Sequence, residues 1–131
     1  MIKIFKSEDD YSKKVNFVDD ENKLVGFDFY DDCCSYGGWF ISETMTHKFE
    51  DGKSTMPKEP ESHPDLTPYS FDKDFYCVKN VNGEDVYAEG KVAIFRMTAP
   101  KEPDLYLHLF NMHNGYYSKG ITSWRGDEDY V

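Results

Sequence analysis

Residues 105–110 read Leu-Tyr-Leu-His-Leu-Phe, and no other run restricts the fold as strongly. Side chains alternate between two faces along a strand, so Leu105, Leu107 and Leu109 share one face and Tyr106, His108 and Phe110 the other. A strand that is largely apolar on both faces belongs inside a sheet covered on both sides. The same period of two recurs twice. Val25, Phe27 and Phe29 alternate with Leu24, Gly26, Asp28 and Tyr30, and Val92, Ile94 and Arg96 alternate with Ala93, Phe95 and Met97. Residues 39–41, 75–79, 86–87 and a last run through Ile121 add shorter strands, with Asn82-Gly83 and Asn114-Gly115 as turns between them.

These strands belong to one domain covering residues 1–131, a length at which folding hides roughly two-thirds of the unfolded chain's surface. Aromatic residues make up 17% of the chain, so its core is expected to be aromatic. The expected fold is mainly β, a small antiparallel sheet curled as a barrel or packed as a sandwich, with room for one short helix. The first 23 residues carry both patterns. Tyr11, Val15 and Val18 fall on a helical stripe after Ser7, while Val15, Phe17 and Val18 fit a strand start equally well. Residues 43–74 hold Pro57, Pro60, Pro64 and Pro68 and read as a polar insert, because proline this dense excludes a central strand or a helix interior. Such an insert is an ordinary loop, a lid or a partner-binding arm. From residue 126 the chain reads as a frayed acidic tail.

A formal net charge of −10 repels phosphate backbones and acidic membrane surfaces, which argues against nucleic-acid and membrane binding. It suits a solvated surface, or one that presents carboxylates to a basic protein. No run of 18 apolar residues and no apolar signal-peptide core follows Met1. Cys33 and Cys34 are adjacent, and a disulfide between them would need a strained ring. Free thiols and a cytoplasmic setting are therefore expected.

Two passages carry the candidate chemistry. Asp31-Asp32-Cys33-Cys34 places two carboxylates and two thiols at the end of a strand, where loops present functional groups from a rigid scaffold. Adjacent cysteines suit zinc poorly, since structural sites separate their ligands by two to four residues. A nucleophilic thiol would need a neighbouring imidazole, for which His113 beside Asn114 is a candidate and His108 a second. The other passage, His113-Asn114-Gly115-Tyr116-Tyr117, has a simpler explanation. Asn-Gly is the preferred pair for a type I′ hairpin. Its aromatic rings beside amide and imidazole groups also suit recognition of a planar or sugar ligand. Trp39 and Trp124 are read as core, and His47 and His63 as solvated. The candidate binding residues are Asp31, Asp32, Cys33, Cys34, His113, Asn114, Tyr116 and Tyr117. The sequence assigns no catalytic set, metal site or cofactor.

The Asp32-Cys33-Cys34 element and the Asn114-Gly115-Tyr116-Tyr117-Ser118 element together resemble a family of small uncharacterised proteins of bacteria and their phages. The likeness covers about half of the chain and leaves out residues 43–74. It implies a β fold and a bacterial or phage source, and no activity. The reading that follows is a non-enzymatic acidic interaction protein that binds a protein partner as a phage or bacterial accessory factor. The alternative is a thiol- or metal-dependent enzyme, or a small-ligand binder, built from the Asp31 to Cys34 turn and His113.

Overall fold

The computed structural model describes residues 1–8, 13–21, 23–29, 35–45, 63–82, 89–113, 121–123 and 129–130. Among them run nine strands: β1 (Lys3–Glu8), β2 (Lys13–Val18), β3 (Leu24–Phe29), β4 (Ser35–Ser42), β5 (Ser70–Asn82), β6 (Glu89–Thr98), β7 (Leu105–His113), β8 (Ile121–Ser123) and β9 (Asp129–Tyr130). They form two antiparallel sheets, one in the order β1-β2-β3-β8-β9 and the other in the order β4-β7-β6-β5. The sheets stay separate, so the architecture is a sandwich and not a barrel. No helix occurs among the described residues. In the N-terminal segment the strand pattern prevails, because β2 pairs on both sides and buries Val15 and Phe17 on one face.

The core lies between the sheets. Val15, Phe17, Val25 and Phe27 from the first sheet meet Trp39, Ala93, Phe95, Met97, Leu105, Leu107 and Leu109 from the second. Trp39 is 1% exposed and receives the edge of Phe17, with ring centroids 5.1 Å apart and planes at 78°. Each such side chain contributes about 1.5–3 kcal/mol by leaving water. β7 is central as its double alternation requires. Its odd-numbered leucines fill the core, while Phe110 packs with Phe40, Val92 and Ile94 in a second buried cluster on the far face of the same sheet. Gly38 stands opposite Phe110, and a Cβ there would lie 2.6 Å from the ring's Cζ.

The stretch 43–74 is more integrated than its prolines imply. Leu66, Tyr69 and Phe71 are buried in the main core, and residues 70–74 open β5. The Ile2 N–H also donates to the Leu66 carbonyl at 3.1 Å. Residues 46–62 lie outside the described residues. Within β5 the pairing shifts between Phe71 and Tyr76. Asp72 bridges this irregularity, accepting from the Asp74 N–H at 2.9 Å and from Arg96 Nε and Nη2 at 2.9 and 2.7 Å. At the C-terminus, Asp129 and Tyr130 pair with Ser123 and Thr122, so this part of the expected tail is strand.

One buried carboxylate fastens the sheets together. Asp19 follows β2, is 4% exposed, and accepts from the N–H groups of Glu21 and Lys23 through Oδ1, each at 3.0 Å. Its Oδ2 accepts from the Phe71 N–H at 3.1 Å, which joins the β2–β3 turn to the start of β5 in the opposite sheet.

Candidate functional site

The inner face of the second sheet changes character along its length. Cross-strand partners form rows, and the rows Met97–Leu105, Phe95–Leu107–Ile41 and Ala93–Leu109–Trp39 are apolar. The next row is Lys91–Asn111–Gly37, and the last is Glu89–His113–Ser35. Both add positions from β5, Asn80 opposite Lys91 and Asn82 opposite Glu89. By residue type, the register therefore runs from apolar rows, at the end beside Asp19 and Phe71, to polar partners at His113.

Asn111 stands at the boundary. It is 5% exposed, and its Oδ1 is buried with no hydrogen-bond donor. Its row neighbour Lys91 is exposed. A buried carbonyl oxygen without a donor forfeits about 1–3 kcal/mol of hydration, so its retention asks for a reason. Sequence reading alone passed over Asn111. The available signal was parity, because Asn111 continues the series Leu105, Leu107, Leu109 and is the first polar residue in it.

His108 and His113, five residues apart on β7, occupy positions of opposite parity. His108 is fully buried on the outer face, stacked on Phe40 with centroids 4.4 Å apart and planes at 8°. Its Nε2 lies 3.0 Å from Ser42 Oγ and 3.1 Å from the Thr44 carbonyl oxygen. The carbonyl can only accept, which identifies Nε2 as the protonated nitrogen and His108 as a structural tie between β7 and the end of β4. His113 is the last residue of β7 and pairs with Ser35 and Glu89. The other candidates, Asp31, Asp32, Cys33, Cys34, Asn114, Tyr116 and Tyr117, lie outside the described residues, as do His47, Trp124 and the turns at Gly83 and Gly115. Cys77 is partly buried with a free thiol. His63 is exposed, its ring centroid 6.5 Å from that of Trp39. Among the described residues no group of three or more His, Cys, Asp or Glu is placed to hold a metal ion. None of them forms a helix long and apolar enough to cross a membrane.

Strand register does show where the undescribed stretches attach. Residues 9–12 join Glu8 to Lys13, which are partners, and residues 83–88 join the partners Asn82 and Glu89. Residues 30–34 join Phe29, the partner of Lys13, to Ser35, the partner of His113. Residues 114–120 join His113 to Ile121, the partner of Phe27. All four stretches are thus anchored at the polar end of the sandwich. Their combined sequence holds the acids Asp9, Asp10, Asp31, Asp32, Glu84 and Asp85 against the single cation Lys119. It also holds Tyr11, Tyr30, Tyr87, Tyr116 and Tyr117, five of the chain's 10 tyrosines.

The fold is an antiparallel β-sandwich in which the residues flanking four connections lie at one end. No family model matches the chain, and no curated protein or solved structure matches it.

Proposed function

We propose that the chain is a non-enzymatic binding domain that engages a protein partner through the polar end of its sandwich. The observation that carries this reading is strand register, in which Ser35, His113 and Glu89 flank three connections and Lys13, the partner of Phe29, flanks a fourth at the same end; all four bear tyrosine and three bear acids. Tyrosine supplies large contact area at low entropic cost, and carboxylates steer a basic partner toward it. A net charge of −10 points the same way. The free thiol of Cys77 is in keeping with a reducing cytoplasm. The Asp-Cys-Cys and Asn-Gly-Tyr-Tyr-Ser elements support a role as a bacterial or phage accessory factor.

The test is copurification of the full chain from its native extract. A stoichiometric protein partner is expected, released as salt rises from about 0.1 M to about 1 M, where the screening length falls from roughly 10 Å to 3 Å. The pair Asp31→Lys with Asp32→Lys should abolish its retention. A lone chain at every salt concentration would refute the reading.

A second reading rests on one specific observation. Ser35 lies directly opposite His113, so Cys34 is one peptide unit from the partner of a histidine. A thiol- or metal-dependent enzyme, or a small-ligand site, would use this proximity. Alkylation rates over pH separate the readings. A Cys33 or Cys34 thiolate forming well below the free-cysteine range, and lost in His113→Gln, favours the enzyme, and ordinary thiols remove it.

A further inference from the structure

We propose that residues 63–71 form a strap that lifts from the sandwich as one unit while both sheets stay paired. The strap lies at the apolar end, away from His113, and stands apart from the binding reading above. From His63 to Tyr69 the chain belongs to no strand, and Pro64 and Pro68 have no N–H to give a ladder. Ser70 and Phe71 then pair with Thr98 and Met97, but the β5–β6 register breaks before resuming at Tyr76. This break is the hinge, because residues outside a ladder absorb a backbone rotation that paired residues resist. Arg96, bonded to Asp72, pins the hinge to β6.

The strap's contacts divide into those that hold it down and those that hold it together. It is held down where the Leu66 carbonyl accepts from the Ile2 N–H at 3.1 Å, the Tyr69 hydroxyl donates to the Pro103 carbonyl at 2.7 Å, and the Phe71 N–H donates to Asp19 Oδ2 at 3.1 Å. The buried side chains of Leu66, Tyr69 and Phe71 add an apolar hold on the main core. It is held together by the Tyr69 N–H donating to the Leu66 carbonyl at 3.1 Å and the Thr67 N–H donating to Asp65 Oδ1 at 3.0 Å. These internal bonds keep the turn's shape when the outward ones break, so the anchors release together. His63, Pro64, Asp65, Thr67 and Pro68 are already exposed. Lifting the strap therefore uncovers far less apolar surface than unfolding does, which places its opening below the global transition.

Native-state amide exchange of the full chain in dilute urea tests the proposal. The N–H groups of Ile2 and Phe71 report on two anchors formed with different elements. Both should share one opening equilibrium, about 100-fold or more above that of the β6–β7 ladder, with a weak urea dependence. Leu66→Ala should raise both by the same factor, about 30-fold or more. Ile94→Val alters the second cluster, to which the strap contributes no side chain, and should speed the ladder amides about fivefold while leaving Ile2 and Phe71 unchanged. Exchange of Ile2 and Phe71 at the ladder's rate, or at rates that differ from each other by more than about tenfold, overturns the strap. Equal acceleration of all these amides by Ile94→Val does the same.

Discussion

Asp19→Ala isolates the strongest polar tie between the two sheets. The carboxylate accepts three backbone N–H groups, and hydrogen bonds to a charged acceptor contribute about 1.5–3 kcal/mol each. Glu21 is exposed, so its N–H turns to water when the acceptor is lost, whereas the N–H groups of Lys23 and Phe71 sit in buried residues. Two buried donors lose their partner, and the expected cost is about 3–5 kcal/mol. Asp19→Asn keeps one acceptor oxygen but turns an NH₂ group toward another N–H, and about half that loss is expected. Glu21→Ala leaves the acceptor in place but removes the 2.7 Å ion pair to the buried Lys23 ammonium, and should cost about 1–2 kcal/mol, less than Asp19→Ala. Urea denaturation measures all three. For a chain of this size the Asp19→Ala melting point should fall by roughly 10–20 °C. Amide exchange adds a local readout, with Phe71 losing protection ahead of the β6–β7 ladder. A loss below about 1 kcal/mol, or equal losses in Asp19→Ala and Glu21→Ala, would refute the reasoning.

Gly38→Ala drives a Cβ to 2.6 Å from Cζ of the buried Phe110 ring, with a cost of about 1–3 kcal/mol. In a Phe110→Leu background the added cost should shrink, a coupling that a double-mutant cycle of denaturation midpoints detects. Lys101 has φ 63° in the turn closed by Glu102 N–H to the Ala99 carbonyl. Lys101→Gly should raise stability by about 0.5 kcal/mol, the left-handed strain relieved less the extra freedom of the unfolded chain. The Asp72 carboxyl is held below the usual carboxylate range by the Asp74 N–H and the Arg96 guanidinium. A depressed folded-state pKa confers stability that is present above the unfolded value and fades as pH falls through the folded one, so Asp72→Asn should flatten the acid limb of the stability profile below about pH 4.

Much of the fold was legible because period two is a local property. The runs at residues 24–30, 91–98 and 105–110 each state which side chains share a face, and the strands described there bury Val25 and Phe27, Ala93, Phe95 and Met97, and Leu105, Leu107 and Leu109 together. The N-terminal segment stayed ambiguous because Val15 and Val18 also match helical spacing. Pairing of β2 with both β1 and β3 resolves it, and such pairing is set by partners distant in sequence. Residues 66–71 depart from their local signal for the opposite reason. Pro64 and Pro68 carry a strong local signal for loop, while Leu66, Tyr69 and Phe71 are held by tertiary burial and by Asp19, fifty-two residues before Phe71. Barrel and sandwich could not be told apart because the distinction lies in which edge strands meet.

The candidate site was legible as two chemical runs but not as a place, since strand ends that meet leave no local trace in sequence. Register supplies the place, because Ser35, His113 and Glu89 share one row at the end of the second sheet. At the Asp19 end the inner face closes on apolar rows and a carboxylate whose hydrogen bonds are all used within the protein. At the His113 end the same strands turn polar, and the Asn111 oxygen remains an acceptor without a donor. A sandwich optimised only for stability would continue the leucine series one step further and place an apolar residue at 111. The amide at that position costs the free domain about 1–3 kcal/mol, while the odd-numbered leucines that precede it on β7 are buried in the core.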